Sequence, residues 1–463
     1  MKFRIEKDSI GEVKVPSKAL WGAQTQRAVN NFPISGIKMD FPFTKSFVSS
    51  LGLIKDAAAK ANLKLKLISA KKAKAISKAA KEVWKEKHHQ EFPVDVFQTG
   101  SGTSSNMNAN EVIASLATKF AKTQIKPNDD VNMSQSSNDV IPTAIKISAH
   151  MDLTKKMLPA LDDLIETIEK KAQTVQGTIK TGRTHLMDAM PIDFSEELLA
   201  WSCQLKSSKE MLNILSKKLL VLPQGGTAVG SGINAPKNFA KYFAQEMTNI
   251  YDKKTKFVAS KNFYHELSAQ DCSVQLSGEL KNLAIILMKI SNDLRWMNSG
   301  PLTGLSEIEL KALQPGSSIM PGKVNPVIPE AVAMVSADVI GNDVSITVAA
   351  QSGSFQLNVM LPVIAYNLLK SINLLSGAMK SLSKNAIKSF KVNQKNLEVS
   401  LSKNPILVTA LNPIIGYDKA AFIAKKAYKE NRPILEVAIE ETGISETKLK
   451  KLLDPSKIAK GGL

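Results

Sequence analysis

The sequence predicts a mostly α-helical protein organised around a bundle of long helices. Apolar residues recur at helical spacing in five stretches of the chain, whereas strand-like alternation is scarce. The stretches are Met157, Leu161, Leu164 and Ile168; Leu198, Trp201, Leu205, Leu212, Leu215 and Leu219; Leu283, Ile286, Leu287, Ile290 and Leu294; Val332 to Ile340; and Met360, Val363, Ile364 and Leu368. Because apolar residues extend beyond one stripe, we expect an up-and-down bundle with further burial between subunits.

The composition is that of a folded, soluble, cytoplasmic protein. The length of 463 residues is enough for roughly three domains. Hydrophobic residues make up 43% of the chain, but no stretch has the roughly 18 uninterrupted apolar residues of a membrane span. The first 15 residues lack an apolar signal core, and two cysteines, Cys203 and Cys272, are too few for a disulfide framework. We therefore expect no membrane partner.

The formal charge of +19 raises the question of nucleic-acid binding. Arginine, which dominates base readout, occurs at five positions only, and lysine is scattered without an aromatic-interleaved patch. The densest cluster, Lys64 to Lys87, has the spacing of a solvated helix face. We expect no nucleic-acid partner, although the general positive potential would steer anionic substrates.

Two polar segments punctuate the first third of the chain, after helical patterns at Thr44 to Ala61 and Ser69 to Glu86. Phe97 to Asn110 is rich in Gly, Ser, Thr and Asn, which predicts a loop before a helix that begins near Asn110. Lys126 to Asn138 predicts a turn that again offers short polar donors. Each is either a surface turn or an anion site at a helix start, and their repetition before apolar helices favours the second.

A short break at Thr181 to Met190 contains the histidine best suited to proton transfer, His185. It lies among small polar and turn residues, whereas His88 and His89 fall in an exposed lysine-rich stretch and His150 and His265 on helical patterns. The Gly-rich segment Pro223 to Pro236 matches no nucleotide-binding spacing and predicts an interhelical connection. No Cys/His cluster has the spacing of a metal site, so we expect no metal and no cofactor.

A further polar loop, Pro315 to Pro326, is the strongest candidate for chemistry. Three prolines and two glycines exclude a continuous helix, while Ser317, Ser318, Lys323 and Asn325 supply donors for a phosphate or carboxylate. Asn325 and Pro326 are suited to start the apolar helix that follows. Glu330 then enters its first turn, either as a solvated capping residue or as a partly desolvated catalytic carboxylate.

These segments together resemble the class II fumarases of the fumarase/aspartase superfamily. The resemblance covers essentially the whole chain. Its motifs are SGTSSNMN at Ser101 to Asn108, SSND at Ser136 to Asp139, GRTHL at Gly182 to Leu186, GSSIMPGKVNP at Gly316 to Pro326, and LVTALNPIIGYDKAA at Leu407 to Ala421.

The resemblance implies a three-domain subunit, with an N-terminal domain at 1–135, a central helical domain at 136–391 and a small C-terminal domain at 392–463. Central helices of four subunits would form the core of a homotetramer, and each active site would combine three chains. The implied activity is reversible hydration of fumarate to (S)-malate, a step of the tricarboxylic acid cycle, without a cofactor.

The resemblance also implies roles for individual residues. Ser317 would be the base on the substrate carbon, and His185 paired with Glu330 would handle the water. The substrate-binding positions are Ser101, Gly102, Thr103, Ser136, Ser137, Asn138, Thr184, Ser318, Lys323 and Asn325.

Two departures from the fumarase pattern leave alternatives open. Lys126, Pro127, Asn128 and Asp129 occupy the segment of a possible second dicarboxylate site, where fumarases usually have His in place of Lys126. Val327, Ile328 and Pro329 before Glu330 look more like an aspartate ammonia-lyase, although Gly322 and His185 favour fumarase. A non-enzymatic polyanion-binding protein on a lyase fold is the other class of alternative.

Overall fold

A computed structural model describes residues 2–461 and confirms the mostly α-helical fold. The α-helices are α1 Ala23–Asn31, α2 Ser46–Lys64, α3 Ala70–Trp84, α4 Thr103–Ala121, α5 Ser137–Asp152, α6 Leu158–Val175, α7 Phe194–Lys218, α8 Phe239–Tyr251, α9 Phe263–Ser268, α10 Asp271–Met297, α11 Val327–Gln351, α12 Leu361–Leu382, α13 Gln394–Ser402, α14 Asn412–Ile415, α15 Tyr417–Glu430, α16 Ile434–Thr442, α17 Glu446–Leu452 and α18 Pro455–Ile458. Shorter helical turns lie at His89–Glu91, Pro127–Val131, Leu153–Met157, Ser383–Ile387 and Pro405–Leu411.

The strands of the described residues are short and pair two by two. They are β1 Phe3–Asp8, β2 Gly11–Pro16, β3 Ile179–Thr184, β4 Met187–Asp193, β5 Val221–Leu222, β6 Val258–Ala259, β7 Ile308–Glu309, β8 Gly353–Ser354, β9 Leu357–Asn358 and β10 Lys391–Val392. The pairs β1–β2, β3–β4, β7–β10 and β8–β9 are antiparallel, and β5–β6 is parallel. The helices therefore carry the core.

The chain divides into two compact units. The first comprises Met1–Pro159, Ser208–Ala284 and Val335–Gly377. In it, α2 packs against α3, α5 and α8 and is buried along nearly its whole length. Leu51 and Ile54 on this helix are fully buried, and each such side chain stabilises the fold by about 2 kcal/mol.

The second unit comprises Ala160–Ser207, Ile285–Met334 and Ala378–Leu463. Its C-terminal part has a hydrophobic cluster that includes Leu411, Ile423 and Val437. The β3–β4 hairpin packs against α13, α18 and the turn at Pro405–Leu411. The domain boundaries expected at residues 135 and 391 stay a prediction.

The long helices confirm the five apolar stretches, but the structure corrects two local predictions. The polar run after Phe97 is not a loop up to Asn110, because α4 already begins at Thr103. The buried side-chain amide of Asn108 on this helix donates to the carbonyl of Glu91 at 2.8 Å. His89 is buried rather than exposed, and its Nδ1 lies 2.6 Å from Asp40 Oδ1.

Helix α11 is long and apolar enough to cross a membrane by length and composition alone. A core helix of a soluble protein passes the same test, so this is weak evidence of a membrane span. Met334, Val344 and Val348 on α11 are 68%, 59% and 48% exposed. An apolar surface of this length on one chain is typical of a face that packs against other helices.

Candidate active site

The first group of predicted substrate ligands lies at the start of α4. Ser101 is buried, and its Oγ is 2.8 Å from Thr103 Oγ1. Gly102 adopts a left-handed conformation with φ of 73°, and a Cβ there would lie 2.8 Å from Ile141 Cγ1. Glycine is therefore required for both its backbone angle and its close approach to α5.

The second group, Ser136 to Asn138, forms the start of α5. The Oγ of Ser136 accepts a hydrogen bond from the N–H of Asn138 at 3.2 Å, and Asp139 completes a capping box by accepting from the N–H of Ser136. Asn106 of α4 donates to Ser137 Oγ at 2.9 Å. This contact joins the two groups of ligands within the first unit.

Two buried ionisable side chains, Lys55 and Asp139, adjoin the second group, and the sequence analysis assigned no role to either. Lys55 of α2 is fully buried and donates to Asn132 Oδ1 and Gln135 Oε1, both at 3.0 Å. Burial lowers the pKa of Lys55 to about 7 and raises the pKa of Asp139 to about 6, while each favours the charged form of the other. Lys55 sits in a helical pattern with an apolar flank at Ile54, the one sequence signal that could have drawn attention to it.

Thr184 and His185 lie at the tip of the β3–β4 hairpin in the second unit. Thr184 pairs with Met187, which leaves His185 and Leu186 as a two-residue turn with φ values of 55° and 61°. Turns with two positive φ values favour Asn-Gly, so bulky residues here store strain. Both Thr184 and His185 are exposed in the single chain. The hairpin itself was not predicted, because its bulge interrupts the alternating pattern.

The Pro315 to Pro326 loop surrounds a cavity of about 430 Å³. Ser317 contributes to its lining, and the Oγ of Ser317 accepts hydrogen bonds from the N–H groups of Met320 at 3.0 Å and Ile319 at 3.3 Å. Two N–H dipoles aimed at one hydroxyl oxygen favour negative charge on that oxygen. The local backbone thus suits Ser317 to act as a base.

Of the other polar residues of this loop, Asn325 bonds within the loop, whereas Ser318 and Lys323 are on its surface. Asn325 donates through its side chain to the carbonyl of Gly316 at 2.6 Å instead of capping α11, and the N–H of Gly316 donates to the carbonyl of Lys323 at 2.9 Å. These bonds close the loop at its base. The side chains of Ser318 and Lys323 are exposed and available to an anion.

Glu330 lies in the first turn of α11 and is half-buried. Its N–H donates to the carbonyl of Pro326 at 3.1 Å. Within the described residues of one chain, the side chains of His185 and Glu330 make no hydrogen bond or ion pair with each other. Their pairing stays a prediction.

The possible second dicarboxylate site forms a surface turn. Lys126 and Asp129 are 59% and 68% exposed, and their Nζ and Oδ2 atoms are 3.1 Å apart. The backbone N–H of Lys126 donates to Asp130 Oδ2 at 2.8 Å, which shapes the turn. The role of Pro127, Asn128 and their neighbours as a second site stays a prediction.

In the part of the chain that the structure describes, no group of three or more His, Cys, Asp or Glu side chains could hold a metal ion.

Comparison with known proteins identifies the family of the chain. A lyase family model matches residues 11–341, and a model of the fumarase C C-terminus matches residues 407–460. A class II fumarate hydratase of Pseudomonas aeruginosa is 56% identical over 460 residues, with 99% of each chain covered. The chain belongs to the class II fumarase family.

Other members of the family are similar to this chain in sequence and in structure. A class II fumarate hydratase of Xylella fastidiosa is 55% identical over 462 residues, covering 100% of this chain and 96% of that protein. The crystal structure of a class II fumarase from Schistosoma mansoni superimposes with a TM-score of 0.95 at 36% identity, with 99% of each chain covered. The predicted family and its fold are thus confirmed, and the chain is a lyase.

Proposed function

We propose that this protein catalyses the reversible hydration of fumarate to (S)-malate in the cytoplasm, as a step of the tricarboxylic acid cycle. The observation that carries the proposal is the match to class II fumarate hydratases over the entire chain. The substrate class, a small dicarboxylate, follows from the family. The net charge of +19 would speed the encounter with such a dianion.

We assign Ser317 to the substrate carbon, as the resemblance to class II fumarases implies. Removal of a proton next to a carboxylate creates a further negative charge on that carboxylate, which requires preorganised donors. Ser318, Lys323 and the hydroxyl and amide groups at the starts of α4 and α5 supply them. The N–H groups of Ile319 and Met320 support the serine base, because they stabilise its alkoxide.

His185 and Glu330 act on the water. A His–carboxylate pair can protonate the departing hydroxide in one direction and activate water in the other. The two side chains do not contact each other within the described residues of one chain, so we propose that they pair across subunits. As the resemblance to class II fumarases implies, we assign each active site to three chains of a homotetramer.

The exposed apolar surfaces of the long helices support this assembly. Besides Met334 and Val344 on α11, Met211 and Ile214 on α7 are 45% and 50% exposed, and Trp296 on α10 is 53% exposed. Burial of these side chains between subunits is the expected driving force for association.

One assay tests the activity. We expect the ultraviolet absorbance of fumarate to appear after addition of malate, at a rate unaffected by a chelator. Aspartate is the control substrate, because Val327, Ile328 and Pro329 resemble the aspartate ammonia-lyase pattern. Faster release of ammonia from aspartate than of water from malate would assign the protein to that reaction instead.

A further inference from the structure

The β3–β4 hairpin contains an ion cluster that the reaction scheme does not use. Glu307 is 3% exposed and lies between two cations of β3. Its Oε1 accepts a hydrogen bond from Arg183 Nη1 at 2.6 Å, and its Oε2 lies 2.6 Å from Lys180 Nζ. Lys180 in turn donates to Glu197 Oε2 at 2.9 Å. Two carboxylates thus balance two cations of β3.

The backbone of the hairpin is irregular between the two cations. Lys180 and Arg183 are three positions apart on β3, and the register of β3 against β4 shifts between Thr181 and Arg183. The shift is a β-bulge in which Gly182 of β3 lies opposite two residues of β4, Ala189 and Met190. A Cβ at Gly182 would lie 2.7 Å from the carbonyl oxygen of Met190, so the bulge depends on glycine.

Glu307 is itself firmly held. Its N–H donates to the carbonyl of Met297 at 2.8 Å, and its carbonyl accepts from the N–H of Asn393 at 2.9 Å. It precedes β7, which pairs with β10. The carboxylate is therefore a fixed point against which Arg183 can be held.

The turn at the tip of the hairpin is strained and has to be stabilised by contacts of neighbouring residues. Arg183 is two residues before His185, and the turn at His185 and Leu186 has positive φ at both positions. Neither residue favours this conformation, and both side chains are exposed. A contact of Arg183, next to the turn, is therefore well placed to hold the strained tip.

We propose that Arg183 and Glu307 are positioning residues that hold the hairpin tip so that His185 points to the water side of the reaction. The assignment of a proton-transfer role to His185 rests on the proposed function. The positioning itself rests on the ion cluster, the bulge and the strained turn.

The test compares Arg183→Met and Arg183→Lys with the wild-type protein. Arg183→Met leaves Glu307 paired with Lys180, so the fold is kept and no buried carboxylate is left without a cation. Lys170→Met is the matched control, because its ammonium pairs with the exposed Glu166 in the same unit.

The first measurement, hydrogen exchange of backbone amides in residues 181–190, does not depend on activity. We expect about tenfold faster exchange in Arg183→Met, intermediate exchange in Arg183→Lys, and no change in Lys170→Met. Wild-type exchange in Arg183→Met would overturn the positioning role, whether or not the protein hydrates fumarate.

The second measurement separates positioning from general damage. In Arg183→Met, kcat for malate dehydration should fall about tenfold or more, because misplacement of a proton donor is costly. Binding of a dicarboxylate inhibitor should weaken less than about threefold, and exchange of the malate C3 proton with solvent should fall less than dehydration. Arg183→Lys should recover part of kcat. Equal losses of C3-proton exchange, inhibitor binding and malate dehydration in Arg183→Met would show that the ion cluster has only a structural role. A wild-type protein inactive on malate would refute the proposed function alone.

Discussion

The carboxylate of Asp139 accepts a hydrogen bond from the backbone N–H of Gly225 at 2.9 Å. The same oxygen accepts from the N–H of Thr227 at 2.9 Å, and Asn138 donates to the carbonyl of Ala228 at 2.8 Å. The Gly-rich connection after α7 is thereby fastened to the start of α5, where Ser136 to Asn138 are the proposed substrate ligands.

Replacement of Asp139 by Asn should weaken substrate binding. Asp139 accepts through both oxygens, Oδ1 from the N–H of Ser136 and Oδ2 from the N–H groups of Gly225 and Thr227. Asn has a single acceptor oxygen, so one side of this support of the ligand segment is lost. We expect KM for malate to rise about tenfold, measured by steady-state kinetics. Glu166→Gln, at a 65% exposed carboxylate of α6, is the control and should leave KM unchanged.

The buried Lys55 predicts a specific pH dependence of stability. Its folded-state pKa of about 7 is below the ordinary value of 10.5, so the folded protein binds fewer protons than the unfolded chain between these pH values. The contribution of Lys55 to the free energy of unfolding therefore rises with pH across this window and is lost as pH falls through 7.

Denaturant unfolding at pH 7 and pH 9 checks this sign. The free energy of unfolding should rise less between these pH values in Lys55→Met than in the wild type, by on the order of 2 kcal/mol. Lys60→Met, which removes an ammonium paired with Asp56 on the same helix, is the control and should keep the wild-type slope. A steeper slope in Lys55→Met would contradict the lowered pKa.

Periodicity and motif spacing were sufficient for the helices and for the family. The stripe from Leu283 to Leu294 lies on α10, and that from Val332 to Ile340 lies on α11, because burial of one helix face leaves a regular trace in sequence. The start of α4 left no such trace. Its Ser and Asn residues are typical of a loop in sequence. Tertiary hydrogen bonds, such as that from Asn106 to Ser137, make the helical conformation favourable.

The supporting ion pairs were beyond prediction for a different reason. Arg183 and Glu307 are 124 residues apart, and no local pattern around either residue indicates their contact. Lys55 looked like one of many lysines, since burial is a property of the packed α2 and not of the residue type. Lone charges in apolar helices and glycines inside short polar breaks are the sequence features worth testing first.

The proposed pairing of His185 and Glu330 predicts non-additive effects. His185→Asn and Glu330→Gln should each lower kcat strongly, and the double variant should lose little more than either single variant. Steady-state kinetics of all four proteins gives the coupling energy. Binding of a dicarboxylate inhibitor should survive in each variant, since neither side chain is assigned to the carboxylates. Additive losses would mean that the two residues act separately.

The proposed homotetramer predicts that an apolar face of α11 is buried in solution. Met334→Glu would place a charge in that interface, so we expect dissociation and loss of turnover. Light scattering should give four times the 50.3 kDa subunit mass for the wild type and a lower mass for the variant. Tyr428→Glu, at an 81% exposed aromatic residue of α15, should keep mass and activity. A fully active wild-type monomer would rule out sites shared between chains.

Ser317 and Ser318 are adjacent, yet the structure separates their expected effects. The Oγ of Ser317 accepts hydrogen bonds from the backbone N–H groups of Ile319 and Met320 beside the loop cavity. The side chain of Ser318 is exposed. Ser317→Ala should remove nearly all turnover while the fold and the assembly remain, because a loop hydroxyl contributes little to packing. Ser318→Ala should mainly weaken substrate binding, by the roughly 1–3 kcal/mol of a hydrogen bond to a charged group.

The decisive measurement for Ser317 is exchange of the malate C3 proton with deuterated water. We would measure it in the His185→Asn protein, in which expulsion of hydroxide is slow, with and without Ser317→Ala. If Ser317 takes the proton from carbon, exchange should persist in the single variant and vanish in the double variant, because the remaining groups bind substrate without acting as a base. Undiminished exchange in the double variant would assign the carbon base to another residue.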